Sequence, residues 1–191
     1  YITNWYIPEQ EVLSGIKNRK LVMGMDTSEA IGNDDITKVI LDAETGEVVA
    51  TGIYNETNII MFSQWLAKFL IKYPTVTLII EKRSTGITIV DNLILILLEY
   101  NIDPFKRIFN FVVNDAMDNK NYREEVLDRN MNFRDPEVYI KYRKLFGYAT
   151  SGVGRTSRDN LYSTSLKSST KYLGHLIRDK TLISQLLGLV Y

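Results

Sequence analysis

Two acidic residues sit where acids are out of place. Asp26 ends the apolar run "LVMGMD", and Glu81 ends "TVTLIIE". A carboxylate at the end of a buried strand either closes a turn or binds something. Asp26 ahead of "TSEAIG" fits an Asx-type turn, and Glu81 ahead of Lys82 and Arg83 fits a surface ion pair. Taken together, the two fit a third role. If their strands run parallel as neighbours, both carboxylates emerge at one end of the sheet, where sites form in open α/β sheets. Oxygen donors without thiolate or imidazole partners make a hard site suited to Mg²⁺ or Mn²⁺. Two such ions about 4 Å apart stabilise the attacking and leaving oxygens of a phosphodiester. The chain contains no cysteine, which excludes disulfides and thiolate metal sites. Its one histidine, His175, lies between Leu173 and Leu176 in a helical pattern and reads as packing.

The elements that must position these acids are legible in the hydrophobic periodicity. Leu21 to Asp26 reads as a strand whose Val22, Gly24 and Asp26 share one face. Apolar residues on both faces predict a central strand covered on both sides. Ile36 to Tyr54 reads as a hairpin around "DAETGE", which completes a three-strand antiparallel meander. Phe62, Trp65, Leu66, Phe69, Leu70 and Tyr73 then recur at three- and four-residue steps, the mark of an amphipathic helix. Thr57 or Asn58 caps that helix and Pro74 stops it. After the strand ending at Glu81, Ser84 or Thr85 caps a second helix that exits at Asp103-Pro104. The nearly all-round apolarity of this helix predicts deep burial. "KRIFNFVV", Lys106 to Val113, reads as a fifth strand. The crossover through the first helix allows the strand of Glu81 to lie parallel to the strand of Asp26. Beyond Asn114 the pattern blurs into a polar stretch with one or two helices and a Gly/Ser turn at Ser151 to Gly154. A last helix is predicted from about Arg158 into the 180s.

Composition bounds the rest. The 191 residues suffice for one ordinary domain with a real core. The longest apolar run, near "LILILL", is too short to span a membrane. Formal charge balances to zero, but unevenly. Tyr1 to Pro104 carries 8 basic and 14 acidic residues, a balance of −6, and Phe105 to Tyr191 carries 15 and 9, a balance of +6. An acidic half joined to a basic half is suited to holding an anionic partner on one side. Lys141, Arg143, Lys144, Arg155, Arg158, Lys167 and Lys171 cluster in the basic half, with Tyr139, Tyr142, Tyr148 and Tyr162 between them. Basic side chains neutralise phosphates, and tyrosines can stack on bases of a frayed strand. Arg155 and Arg158, beside glycine and serine ahead of a helix, are the preferred DNA contacts, with Lys167 further along. The alternative is an ordinary solvated helix face. Asp91, on the helix after Glu81, reads as a solvated or paired position that one turn closer to the site would assist a metal.

"MGMDTSEAIGNDDITKVIL" followed by "LIIEKRSTGITIVDNL" resembles the nuclease domain of the large terminase subunit of tailed bacteriophages. The first segment is similar to that family's strand-one aspartate with its Ser/Gly/acid loop. The second is similar to its strand-four glutamate, followed by a Ser-Thr-Gly turn into a helix. The match covers Leu21 to about Asn114, and more loosely Gly152 to Tyr191, where "GRTSRDNLYSTSLKSSTKYLGHLI" resembles a basic stretch and helix late in the domain. The resemblance implies a ribonuclease H-like α/β fold. Its sheet would be mixed and five-stranded, a three-strand antiparallel meander plus parallel strands, with helices on both faces. It implies a metal-dependent endonuclease that cuts concatemeric double-stranded DNA during genome packaging, using two Mg²⁺ or Mn²⁺ ions. Asp26 and Glu81 would be the catalytic metal ligands. Asp34 or Asp35 corresponds to an acid often found at the start of strand two, so Asp35 is a further candidate ligand. Implied partners, besides DNA, are a packaging ATPase domain, the small terminase subunit and the portal, in the cytoplasm of an infected bacterium. On this reading Tyr1 to Lys20 is a lead-in from a preceding ATPase domain, and residues 21–191 are a nuclease domain that stops before its last strand and helix. No GxxxxGK[ST] motif occurs in the sequence. The family's third carboxylate has no convincing counterpart up to Tyr191, because Asp179 reads as part of the preceding helix.

Other readings stay open. A Holliday-junction resolvase of the same fold would share the acids. A catalytically incomplete module would bind DNA or portal protein without cutting. An actin-like kinase or ATPase also begins its phosphate loop with a strand-end aspartate, but "TSEAIGNDD" is too acidic to welcome a nucleoside triphosphate.

Overall fold

Alternation in "LVMGMD" and "ITKVILD", and the nearly continuously buried, β-branched run "VVATGIY", produce three strands: β2 (Leu21–Asp26), β3 (Ile36–Asp42) and β4 (Val48–Tyr54). They appear in a computed structural model that describes residues 1–14, 19–27, 35–113, 136–154 and 157–189. A two-residue strand, β1 (Asn4–Trp5), and the helix α1 (Glu9–Leu13) precede them. The helix α2 (Ile59–Lys72), the strand β5 (Val76–Ile80) and the helix α3 (Thr85–Glu99) follow. The sheet has five strands in the order β1-β4-β3-β2-β5. The β2–β5 pair is parallel and the other pairs are antiparallel. Gly46 closes the β3–β4 hairpin in the left-handed region at φ +73°, which a glycine enters without Cβ strain.

One face of the sheet carries the core. Met23, Met25, Ile36, Ile40, Leu78 and Ile80 point to this side, against Phe62, Leu66, Phe69 and Leu70 of α2 and Ile89, Leu93 and Leu97 of α3. The two helices pack on each other as well as on the sheet. Asn58 caps α2, its side chain accepting the Met61 amide at 3.1 Å. Arg107 closes the other end. Its buried guanidinium donates to the carbonyls of Leu70, Tyr73 and Val76 at 2.5, 3.0 and 3.2 Å, so acceptors left free by the helix terminus find a donor.

The opposite face is covered only in part. Val39, Leu41 and Val48 line a cleft of about 450 Å³ with Leu161, Leu166, Leu173 and Leu186 of the C-terminal helices. Helices therefore lie on both faces. Near the end of β2 this outer face stays open: Gly24 and Asp26 are exposed, although apolar residues on both faces of the strand predict cover on both sides. Burial of α3 is likewise one-sided, with Leu95 61% exposed.

The structure also corrects the reading of Lys106 to Val113, of the last helix and of Asp179. Lys106 to Val113 is not a strand. Asp103 accepts the Phe105 amide at 3.0 Å and Pro104 starts a short helix, α4 (Pro104–Arg107). Asn110 then bends the chain by binding the carbonyls of Phe105 and Ile108 and the amides of Val112 and Val113. Only a single bridge, Ile108 to Leu78, joins β5, and the fifth strand is β1 from the lead-in. The predicted last helix is broken. Following α5 (Pro136–Tyr142), the chain runs through α6 (Arg158–Asn160), a π turn (Leu161–Leu166) and α7 (Lys167–Leu173), then turns into α8 (Lys180–Leu187). Asp179 is not inside that helix. It caps α8, accepting the Leu182 amide at 2.9 Å and the Thr51 hydroxyl at 2.5 Å. Among the described residues no helix is long and apolar enough to cross a membrane.

Candidate active site

Strand register brings the two acids together. Met25 pairs with Ile80 in the parallel ladder, so Asp26 and Glu81 leave neighbouring strands at the same end. The Glu81 amide continues the ladder, donating to the Met25 carbonyl at 3.1 Å. The side chains meet. Partial desolvation and then the adjacent Glu81 carboxylate push the Asp26 carboxyl above its ordinary range, while Arg158 acts in the opposite direction. Two carboxylates crowded together resist simultaneous ionisation, and a cation between them relieves the conflict.

The Ser-Thr-Gly turn fixes Glu81 from behind. A Cβ on Gly86 would stand 2.0 Å from the Glu81 carbonyl oxygen and 3.1 Å from Thr27 Oγ1, so only glycine lets α3 start this close. Ser84 takes φ +46°, a costly value for a residue with a side chain, and makes no capping hydrogen bond, contrary to its predicted role. Strain of this kind collects at functional sites.

A segment with no marked periodicity completes the site. Gly147, at φ +78°, turns the chain beside β5, and Tyr148 pairs with it: its amide donates to Ile80 at 2.8 Å and its carbonyl accepts from Lys82 at 2.6 Å. Thr150 then donates to Glu81 Oε1 at 2.5 Å. A bridge between Ser151 and Ser157 carries the chain on to α6, where the Ser157 hydroxyl accepts the Asn160 amide at 3.2 Å. The result is a cleft of about 510 Å³ lined by Glu81, Lys82, Arg83, Thr150, Arg158 and Asp159, among others. Cations and carboxylates share it, as a site for a metal and a phosphate requires.

The other candidates fall elsewhere. Asp35 accepts from Asn55 Nδ2 at 3.1 Å. Lys167 is an exposed residue of α7. Asp91 is ion-paired with Arg143 rather than turned to the acids. Tyr139 and Tyr142 are buried against Phe105, so they are not available as base-stacking platforms. Asp34 and Arg155 lie outside the described residues. Among the described residues no group of three acids, histidines or cysteines is placed to hold a metal ion. Thr150 went unnoticed in the sequence, since nothing local distinguishes it from other loop threonines.

The donor set fits a hard divalent cation: two carboxylates, no soft ligand, and a like-charge conflict that a cation would resolve. The chain matches no protein-family model and no curated protein.

Proposed function

We propose that the chain is a metal-dependent nuclease domain of ribonuclease H-like type, related to the nuclease of phage DNA-packaging terminases. The observation that carries this reading is the meeting of Asp26 and Glu81 at the ends of adjacent parallel strands, beside a cleft that also presents Lys82, Arg83 and Arg158. Asp26 and Glu81 would hold Mg²⁺ or Mn²⁺. Bound there, the ions would supply charge stabilisation for the attacking and leaving oxygens of a phosphodiester. The protein's own share is positional. Thr150 and the Gly86 turn hold Glu81 in place, and Arg158 adds positive charge where a phosphate would dock. Double-stranded DNA would run along the basic outer side, with Lys167 as a further backbone contact. Such contacts carry affinity and little sequence information. A packaging ATPase, a small terminase subunit and a portal, in the cytoplasm of an infected bacterium, complete the proposed context.

Linear and supercoiled DNA incubated with Mn²⁺ test the reading. Cleavage that disappears in Asp26→Asn and Glu81→Gln, with DNA binding retained, is the expected result. Equal cleavage by Asp26→Asn removes the proposal. Preference for branched over linear DNA would move the assignment to a resolvase of the same fold. A second reading, a module that binds DNA without cutting it, needs only the cations Lys82, Arg83 and Arg158 that the cleft presents. Tight, salt-sensitive DNA binding without cleavage at any Mn²⁺ concentration would select it.

A further inference from the structure

Glu81 is a flexible side chain beside a second carboxylate, and repulsion alone would turn it out into solvent. It is instead held, by a side-chain hydrogen bond with Asp26 and by a second one from Thr150. The segment carrying Thr150 is anchored on both sides. Tyr148 is bonded to Ile80 of β5 and to Lys82 just beyond it, and Ser151 is bridged to Ser157. Between these anchors Thr150 has little freedom, and its β-branched side chain has few rotamers to choose from. Its hydroxyl donates to Glu81 Oε1 at 2.5 Å, a short hydrogen bond that fixes the direction of that oxygen. A carboxylate offers about four lone-pair positions, so one hydroxyl donor leaves room for a cation.

We propose that Thr150 is a positioning residue for Glu81: its hydroxyl sets the direction of the carboxylate before the cation arrives. The proposal rests on reading Asp26 and Glu81 as a metal pair. A donor to a ligating carboxylate typically changes metal affinity or activity about 10- to 100-fold when removed. Thr150 lines the same cleft as Arg158, and its contact there is the hydrogen bond to Glu81.

Mn²⁺ titrated by calorimetry into the DNA-free chain tests this. Thr150→Val keeps the branched shape and removes the hydroxyl, and Thr150→Ser restores it. The expected result is an affinity about tenfold weaker in Thr150→Val and close to wild type in Thr150→Ser. Melting temperatures in EDTA should agree within about 2 °C, so that a folding defect is not mistaken for lost positioning. Wild-type affinity in Thr150→Val overturns the role of Thr150 and leaves the metal pair standing. The same holds if Thr150→Ser is as weak as Thr150→Val, since the methyl group would then be what matters. If the wild-type chain takes up no Mn²⁺, the metal pair and the positioning role both fall.

Discussion

Lys38 offers the sharpest test of the packing. It occupies an inward position of β3, between Ile36 and Ile40, and is 1% exposed. Its ammonium bonds Thr3 Oγ1 at 2.7 Å and lies 4.0 Å from the Phe69 ring centroid, 4.7 Å from Trp65 and 5.4 Å from Tyr54. No carboxylate balances it among the interactions described. Burial lowers its pKa from 10.5 to about 7. At about 1.36 kcal/mol per unit, this corresponds to about 5 kcal/mol of penalty on the charged form, and the aromatic faces offset up to about 2 kcal/mol. The sign follows from linkage. Between about pH 7 and 10.5 the unfolded chain holds a proton on this lysine that the native chain has released, so stability rises with pH across that window. Below about pH 7 the full penalty is present. Above about pH 10 the trend is opposed, because burial holds the phenols of Tyr1 and Tyr54 up at about 12. Lys38→Met removes the charge at similar length. Urea unfolding followed by tryptophan fluorescence, with Trp65 reporting from the same box, should show Lys38→Met more stable by about 3 kcal/mol at pH 6.5. The advantage should shrink by roughly 1 kcal/mol per pH unit from pH 7.5 to 9.5. Parallel wild-type and variant curves would refute the argument. So would a destabilised Lys38→Met at pH 6.5, which would mean that the aromatic box carries the ammonium at net gain.

Three other outcomes follow from the same structure. Arg107→Met strands the carbonyls of Leu70, Tyr73 and Val76 and should cost about 2–4 kcal/mol in urea unfolding; a neutral result would mean that the buried guanidinium's desolvation cancels its bonds to these three carbonyls. Gly86→Ala drives a methyl to 2.0 Å from the Glu81 carbonyl, so a loss of about 2–4 kcal/mol together with weaker Mn²⁺ binding is expected, and an unchanged variant would show that α3 starts elsewhere. Asp26→Asn should melt higher than wild type in EDTA at pH 7. With the Asp26 carboxyl raised in the native state, the unfolded chain ionises first, and this group costs stability above the ordinary aspartate range. The gap should close as the pH falls toward 4, and Mn²⁺ should stabilise the wild type alone.

Much of the architecture was legible because burial writes a local period into the chain. The β2–β3–β4 meander, the hairpin glycine and the α2 stripe follow from alternation, turn chemistry and three- and four-residue spacing. The misreadings share a cause. "KRIFNFVV" carries strand-like residues, but Asn110, four times hydrogen-bonded to nearby backbone, outweighs propensity. Asn4 and Trp5 carry no strand period, and they join the sheet only because the edge of β4 accepts them.

By itself the sequence determined the strand ends that carry Asp26 and Glu81, since an apolar run stopped by an acid is visible along the chain. Only the tertiary structure decided that the two carboxylates meet, because their approach depends on parallel pairing across a separation of more than fifty residues. The same holds for Thr150, which reaches Glu81 through the pairing of Tyr148 with β5, and for Lys38, whose burial comes from helix and N-terminal residues closing over an inward strand position. Distance along the chain encodes none of these contacts. They form when strands register and packing forces side chains into shared space.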